Sequence, residues 1–208
     1  MTLAELSAAT GVSVATIKYY IREGLLPAGE PIGPKKAEYD ESHVARIRLI
    51  RILREVGDVP VARIGEVVAA LSDQDAAFHD VSGRSFHALG PFATLPDTAA
   101  ARAARRDVLE YLSEADWIVD ETAPAIDVLA ETLLAVRTFW DPAASPAVFN
   151  RYRAALDDLT RGDLAMIPDP PDMATYISQT AVGTVLWDKA MIALRRLALE
   201  DKSRRRFT

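Results

Sequence analysis

The chain has 208 residues, of which 50% are hydrophobic and 26% are charged, so it can bury one large core or two small ones. It contains no cysteine and only three histidines, which excludes disulfides, thiolate metal sites, iron-sulfur clusters and thiol nucleophiles. No stretch approaches the roughly 18 uncharged apolar residues of a membrane span, and the first residues, MTLAELSAATG, have no basic region followed by an apolar run. We therefore expect a cytoplasmic protein with no membrane contact, no metal and no cofactor.

The formal net charge of -6 is unevenly distributed along the chain. Residues 1–71 contain nine Lys and Arg and nine Asp and Glu, whereas residues 72–208 contain fifteen and twenty-one. The acidity therefore belongs to the C-terminal part. An acidic total does not exclude nucleic-acid binding by the first 71 residues, because such binding depends on where the basic groups lie.

Two short helices are predicted at the start of the chain. Thr2 and Glu5 have the spacing of a capping box, and Gly11 is placed to end the helix that follows. Ser13 can cap a second helix, and Gly24 is placed to end it in a left-handed conformation. The apolar side of this second helix consists of Val14, Ile17 and Ile21. Two short helices joined by a tight turn with glycine form a helix-turn-helix pattern, whose second helix enters the major groove N-terminus first.

A hairpin and two further helices follow. The segment AGEPIGPKKAEYD, residues 28–40, is too rich in glycine and proline for a helix, so a short hairpin or irregular loop is expected. Asp40 can cap a third helix, and Pro60 can open a fourth. The stripes predicted to be buried are Val44, Ile47, Ile50 and Leu53 on the third helix, and Ile64, Val67, Val68 and Leu71 on the fourth.

This order of elements resembles the winged-helix DNA-binding domain of the MerR family of transcription regulators. The resemblance covers residues 1–71, through LAELSAATGVSVATIKYYIREGLLPAGEP and EYDESHVARIRLIRILREVG. It is carried by the triplet Lys18-Tyr19-Tyr20 and by the exit Glu23-Gly24-Leu25-Leu26. Lys18 stands where the family usually has Arg, Ile21 where Glu is common, and the wing carries lysines instead of the usual arginine. The family implies a winged helix-turn-helix with a small β wing.

The DNA-facing side chains are predicted from helix geometry and from the resemblance. At the start of the second helix, small and hydroxyl side chains allow close approach to base edges, and a lysine further along can reach a guanine or a phosphate. These residues are Ser13, Val14, Thr16 and Lys18. Tyr19 and Tyr20 point about 100° apart on a helix, so one can pack inward while the other contacts a phosphate. The family resemblance implies that both face DNA.

Further contacts to phosphates are expected from the wing and the third helix. The candidates are Lys35, Lys36, Tyr39, Arg46 and Arg48. The two lysines could also belong to a solvated loop without a DNA contact. Arg51 is not among the candidates, because it can pair with Glu55 four residues later on the same helix face.

The remainder of the chain is predicted to be a linker, residues 72–98, followed by an all-α bundle of four or five helices, residues 99–208. The predicted helix starts are near residue 99, at Thr122 with Pro124, at Ser145 with Pro146, and near Asp172, from which a long final helix runs to about Asp201. No strand-like alternation of apolar and polar residues is present in this part. The fold class is therefore mainly α, with one small β wing.

The dimer contact is not the one that the family resemblance implies. MerR-type regulators commonly follow the DNA-binding domain with a long antiparallel coiled-coil helix, but Gly83, Gly90 and Pro91 interrupt the corresponding region here. The final helix is the candidate for dimerisation, because its apolar residues cover more than one face. A central helix buried within the bundle would explain the same pattern.

An effector pocket is one of two interpretations of the aromatic residues in the helical region. Trp117, Phe139, Trp140, Tyr152, Met173, Tyr176 and Trp187 could line an apolar site for an organic small molecule. Aromatic residues at helical spacing could equally form the core of a small bundle.

The sequence therefore predicts a homodimeric, sequence-specific DNA-binding transcription regulator. The resemblance implies binding to double-stranded promoter DNA, contact with RNA polymerase at the promoter, and control by an organic effector bound in the C-terminal helical domain. The alternative is an effector-independent DNA-binding or architectural protein, whose helical domain only dimerises. We do not expect an enzyme, because the sequence lacks a Gly-rich phosphate loop and the histidine spacings of metal-dependent catalysis.

Overall fold

The computed structural model describes residues 1–33, 36–71, 78–167 and 173–207. Within these ranges the elements are α1 (Leu3–Thr10), α2 (Val14–Arg22), β1 (Glu30–Gly33), β2 (Lys36–Glu38), α3 (Glu41–Arg51), α4 (Val61–Leu71), α5 (Phe78–Leu89), α6 (Ala99–Glu114), α7 (Pro124–Phe139), α8 (Asn150–Ala165) and α9 (Met173–Phe207). A π-helical turn, Ile52–Val56, extends α3, and a 3-10 turn, Pro146–Phe149, precedes α8. The predicted fold class is confirmed. None of the helices in the described ranges has the length and apolarity needed to cross a membrane.

The local start and stop signals of the first three helices act as predicted. Thr2 and Glu5 form the reciprocal capping box of α1, in which the Thr2 amide donates to the Glu5 carboxylate at 2.7 Å. Ser13 caps α2, and Asp40 caps α3 by accepting from the Ser42 amide at 3.0 Å. Gly24 adopts a φ of 72° after α2, a conformation that glycine reaches at little cost.

The predicted hairpin is also present. Strands β1 and β2 pair antiparallel, with Glu30 opposite Glu38 and an irregularity in register between Pro31 and Gly33. The base of this wing is tied to the start of the chain, because the Tyr39 amide donates to the Met1 carbonyl at 2.8 Å. Most of the wing's described side chains are exposed, so it projects from the domain as a two-stranded ribbon.

Helices α1 to α5 share one hydrophobic core with the first part of α9. Residues 1–89 and 172–208 form one compact unit of the chain. The four predicted core residues of α3 and its extension, Val44, Ile47, Ile50 and Leu53, are all buried there. Ile64, Val67 and Val68 are buried as predicted on α4, whereas the side chain of Leu71 lies outside the described part of the structure.

The segment predicted as a linker, residues 72–98, contains helix α5. This helix packs against α4 and α9 and buries Ser85 and Ala88. Its sequence pattern is short and interrupted by Gly83, which a helix tolerates when neighbouring helices cover its apolar side. Only residues 90–98 of the described linker region lack a helix or strand.

Helix α9 packs at the junction of α3 and α4. Ile177, Ala181 and Val185 of α9 belong to the core of the first unit. A Cβ atom on Gly57 would lie 2.6 Å from Val185 Cγ1 and 2.5 Å from the Leu53 carbonyl oxygen. The sequence grouped this helix with residues 99–208, but its buried side chains face the N-terminal helices, because pattern alone does not identify a helix's neighbours.

The second unit, residues 90–171, has a separate core between α6 and α7. Its buried residues are Ala104, Val108, Leu112, Ile126, Ala130 and Leu133. The described part of residues 99–208 contains four α-helices, α6 to α9, within the predicted four or five, but α9 belongs to the first unit and only α6, α7 and α8 to the second. Helix α8 has no buried side chain. Thr122 does not cap α7 as predicted, because its hydroxyl donates to the Asp120 carboxylate at 2.7 Å.

Substitution of Gly57 by alanine tests the docking of α9. The added methyl group would overlap Val185 and the Leu53 carbonyl, so we expect Gly57→Ala to lower the free energy of unfolding by about 1–3 kcal/mol. Gly83→Ala is the control, since among the described residues no atom outside the local helix backbone lies within 4 Å of a Cβ placed there. It should be neutral or stabilise α5. Chemical denaturation of both variants measures the difference, and equal unfolding free energies would contradict the proposed close contact.

Candidate nucleic-acid interface

Helix α2 has one face in the core and the opposite face open. Ile17 and Tyr20 are buried among α1, α3 and the segment after α2. Ala15, Lys18 and Arg22 are exposed, and their spacing of three and four residues places them on one stripe. We call Ala15, Lys18 and Arg22 the α2 stripe.

The orientation of this stripe is fixed where α2 ends. The left-handed Gly24 turns the chain back, so that the amides of Leu25 and Leu26 donate to the Tyr20 carbonyl at 2.9 and 3.2 Å. The side chains of both leucines are buried in the same core as Ile17. The Gly-Leu-Leu motif therefore locks the rotation of α2 about its own axis.

At its other end, α2 begins with small hydroxyl residues. The Ser13 hydroxyl accepts from the Thr16 amide at 3.1 Å and lies 2.8 Å from the Thr16 hydroxyl. Ser13 is exposed, and Val14 and Thr16 are half-buried. Each hydroxyl can take part in more than one hydrogen bond, so the predicted contact of Thr16 with a base edge is compatible with its bond to Ser13.

The two adjacent tyrosines of α2 have different environments. Tyr20 is only 2% exposed, with its ring in the core, whereas Tyr19 is half-buried. The Arg22 guanidinium lies 5.3 Å from the Tyr19 ring centroid, within the range of a cation–π contact. The structure thus has the arrangement in which one tyrosine packs inward while the other is accessible at the surface.

Of the three residues predicted to contact DNA from the wing, Lys35, Lys36 and Tyr39, the two that the structure describes differ in exposure. Lys36 is exposed on β2, and Lys35 lies outside the described residues. Tyr39 is 7% exposed, and its ring meets the His43 ring edge-on with centroids 5.1 Å apart. A Cβ on Gly29 would lie 2.9 Å from the Tyr39 ring. Tyr39 therefore braces the base of the wing, and its ring is not open to a DNA backbone.

The arginines of α3 also separate into two groups. Arg48 is exposed, whereas Arg46 is half-buried and directs Nη1 towards the Val68 carbonyl at 3.5 Å. Burial lowers the pKa of Arg46 from its usual value, but the guanidinium keeps its charge. Arg51 pairs with Glu55 through two hydrogen bonds of 3.0 and 2.9 Å, as expected, and also donates to the Thr10 carbonyl at the end of α1.

The start of α3 carries a strongly held negative charge. Hydrogen bonds from Ser42 and from His43 hold the pKa of the Asp40 carboxyl well below its usual range. Because the charged carboxylate accepts from the first amides of α3, it complements the positive end of the helix dipole. Asp40 consequently fixes the position of α3 relative to the wing that precedes it.

The predicted effector residues do not form one group. Phe139 and Trp140 are 81% and 84% exposed at the end of α7, Tyr152 is exposed on α8, and Trp117 is half-buried. Tyr176 and Trp187 lie on α9, which belongs to the first unit. The side chain of Met173 is outside the described part of the structure. The sequence shows that these residues have helical spacing, but spacing alone does not show which helix faces are covered by neighbouring helices.

One member of the α2 stripe was missed at the level of sequence. Arg22 is not among the residues predicted to contact DNA, although it lies four residues after Lys18 and three after Tyr19. That spacing on a helix already places all three on neighbouring positions. In the structure Arg22 contacts Tyr19 and also pairs with Glu23 at 3.5 Å. No cluster of three or more metal-ligating side chains occurs among the residues that the structure describes.

Comparisons with known proteins agree with this geometry. A family model described as MerR HTH family regulatory protein matches residues 1–71. The nodulation protein NolA of Bradyrhizobium elkanii is 44% identical over 55 residues, and that of Bradyrhizobium sp. (strain NC92) is 42% identical over 55 residues. These matches span about a quarter of either relative and 26% of this chain.

A solved structure matches over the full length. It is the protein SCO5550 of Streptomyces coelicolor A3(2), described as a candidate transcriptional regulator. The two chains are 33% identical and superpose with a TM-score of 0.73, covering 100% of this chain and 98% of the other. The likeness therefore includes the helical region beyond residue 71. Together with the family match, it shows that this chain belongs to the MerR family of helix-turn-helix regulatory proteins.

Proposed function

We propose that the protein binds promoter DNA as a homodimer, with α2 in the major groove, and that an organic small molecule bound by the second unit controls this binding. The observation that supports DNA reading most directly is the α2 stripe. Its exposed cations, Lys18 and Arg22, lie on the side of α2 opposite to the side that is buried in the core. In the promoter complex the protein would also contact RNA polymerase, as the family implies.

The N-terminal end of α2 is the end that approaches base edges. Ser13 and Ala15 are small enough for the helix to enter deeply, and the helix N-terminus carries a partial positive charge that favours phosphates. With α2 in the groove, the Lys18 side chain can reach a base edge or a phosphate, and Arg22 lies one helical turn further from the N-terminal end of α2. In this proposal Lys36 and Arg48 contribute phosphate contacts beside the groove.

The cations of the α2 stripe can be tested by alanine substitution. Lys18→Ala and Arg22→Ala should each weaken binding to the promoter duplex by about 1–3 kcal/mol where a base is contacted, and each lost phosphate contact should reduce the salt slope by roughly one. Fluorescence anisotropy at several salt concentrations, with a duplex footprinted upstream of the gene, measures both quantities. Arg161→Ala removes an exposed cation from the second unit and should bind like the unaltered protein. If all three variants bind alike, α2 is not the reading helix.

The two tyrosines provide a more conservative test of the same face. Tyr19→Phe removes a hydroxyl that can donate to a phosphate, so the affinity for DNA should fall by about 0.5–1.5 kcal/mol. Tyr20→Phe changes a ring that is inside the core, so the affinity of the folded protein should remain unchanged. The same anisotropy assay compares the two, with circular dichroism to verify folding. A larger loss for Tyr20→Phe than for Tyr19→Phe would contradict this placement of α2.

The second half of α9 is the proposed dimer contact. Its first half is buried in the first unit, but Leu194 and Leu197 are 66% and 61% exposed, and a single helix of this apolarity requires a partner. A second copy of the same segment, related by a two-fold axis, would cover these leucines.

A dimer also suits the DNA-binding element. Two copies of a helix-turn-helix related by a two-fold axis read half-sites that are about 34 Å, or a multiple of this distance, apart. One copy of α2 buries too little DNA surface for high affinity and reads only one half-site. A dimer would therefore bind DNA more tightly than one copy and would recognise a longer DNA sequence.

Charge substitutions on α9 test the dimer. In the double variant Leu194→Glu and Leu197→Glu, four carboxylates would meet in the contact, so we expect a monomer at concentrations where the unaltered protein is dimeric. Leu164→Glu, at an exposed leucine of α8, is the control and should stay dimeric. Sedimentation equilibrium measures the mass of each. An unaltered protein that is monomeric at micromolar concentration would refute the homodimer altogether.

The alternative function remains a DNA-binding protein without an effector. The exposure of Phe139 and Trp140, at 81% and 84%, is the observation that favours it. In that case the helical region, residues 99–208, would serve dimerisation only. No small molecule would then change the affinity for promoter DNA.

A further inference from the structure

The second unit contains a cavity that does not involve the predicted aromatic residues. The last turns of α6, the end of α7, the 3-10 turn and the first turn of α8 line a cavity of about 540 Å³ that is open to solvent. Cavities that hold small organic ligands usually measure roughly 300–1,000 Å³. All its lining residues lie between positions 107 and 153, so one unit of the chain builds it completely.

One wall of this cavity is held by Arg137. Its guanidinium donates to the Asp107 carboxylate at 2.6 Å and to the Ala144 carbonyl at 2.9 Å. These bonds join α7 to α6 and to the segment before the 3-10 turn. The charges of Arg137 and Asp107 compensate each other, so this pair shapes the cavity without leaving a free charge.

Two polar groups of the cavity lack a hydrogen-bond partner. The Tyr111 hydroxyl and the Arg153 Nε are both buried and unpartnered within the described residues. The Arg153 guanidinium lies 5.7 Å from the Tyr111 ring centroid, and the edge of the Phe149 ring packs against Tyr111 at 6.4 Å. The two groups are therefore adjacent and held in place. Buried polar groups are normally satisfied. Tyr111 and Arg153 both line the cavity, so a small rotation of these two side chains would present two donors to an acceptor such as a carboxylate.

Two acidic side chains lie at the same cavity. Glu110 and Glu114 are four residues apart on α6 and both line the space. In the part of the chain that the structure describes, neither is paired with a cation. Like charges at this spacing on a helix repel each other. An ammonium group placed between them would remove this repulsion and gain two charge-assisted hydrogen bonds.

We propose that this cavity binds a small zwitterionic amino compound, of the class of amino acids and short peptides. Its carboxylate would accept hydrogen bonds from Tyr111 and Arg153, and its ammonium group would donate to Glu110 and Glu114. Because Asp107 and Arg137 neutralise each other, the two glutamates and Arg153 leave one negative charge. The site therefore favours ligands of net charge zero or +1. The inference rests on the proposed function in one respect, since it gives the second unit's effector a chemical class.

Three related dipeptides test the proposal. Alanyl-lysine has ammonium groups and a carboxylate with a net charge of +1. Its C-terminal amide lacks the carboxylate, and its diacetylated form lacks both ammonium groups. Titration calorimetry with the full chain should show binding of the unmodified dipeptide, and binding at least about tenfold weaker for either modified form, since each loses charge-assisted hydrogen bonds. No binding of any of the three, or equal binding of all three, would overturn the proposal.

Variants of the cavity locate the binding. Tyr111→Phe, Arg153→Met and Glu110→Gln with Glu114→Gln should each weaken binding of alanyl-lysine by at least about fivefold, by removing one or more hydrogen bonds to a charged group. Glu131→Gln changes the same charge on the exposed side of α7 and should leave binding unchanged. Thermal unfolding verifies that each variant is folded, and Tyr111→Phe keeps the ring that packs on Phe149. Equal binding by all folded variants would place the dipeptide elsewhere and overturn the proposal.

The promoter-binding assay separates this proposal from the proposed function. The cavity variants without a ligand should bind promoter DNA like the unaltered protein, because α2 belongs to the other unit. If alanyl-lysine binds but promoter DNA does not, the cavity proposal stands and the DNA proposal fails. If promoter DNA binds but none of the dipeptides does, only the cavity proposal is overturned.

Discussion

The contact of Val185 with Gly57 is the constraint on which the organisation of the chain depends. Only a residue without a side chain allows α9 to approach the π-helical turn so closely. The ion pair between Lys189 and Asp58, at 2.6 Å, follows one turn later. Through these contacts the C-terminal helix becomes part of the N-terminal unit, and residues 90–171 form an inserted unit with a core of their own.

The same core determines what α2 can present to a ligand. Ile17 and Tyr20 bury one side, and the Leu25 and Leu26 amides hold the Tyr20 carbonyl. A helix of nine residues would be marginal in isolation, so its order comes from this packing. The exposed stripe is consequently presented on a rigid support, which lowers the entropic cost of binding DNA.

Sequence reasoning succeeded where the signal was local. The caps at Thr2, Ser13 and Asp40 depend on neighbours within three residues, and the hairpin depends on glycine and proline density. Long-range placement was not predictable in the same way. Tyr20 and Tyr39 are polar enough to occur at a surface, and their burial results from packing against distant segments. For α9 the sequence left two alternatives, a dimer contact or a central helix of the bundle. The first half of α9 is buried against the N-terminal helices instead of within the bundle, and its second half is exposed. The cavity of the second unit is lined partly by charged residues, whose spacing in the sequence is also typical of an ordinary solvated helix face.

The position of α9 at the end of the chain affects how the first unit folds during synthesis. Lys189 and Asp58 are separated by 131 positions, and contacts between such distant positions form late because closing a long loop is entropically costly. During synthesis, the helix-turn-helix leaves the ribosome long before the helix that completes its core. The N-terminal segment of a growing or prematurely terminated chain would lack Ile177, Ala181 and Val185 and so remain less stable. Unfinished chains are therefore poorly suited to compete with complete ones for the same DNA.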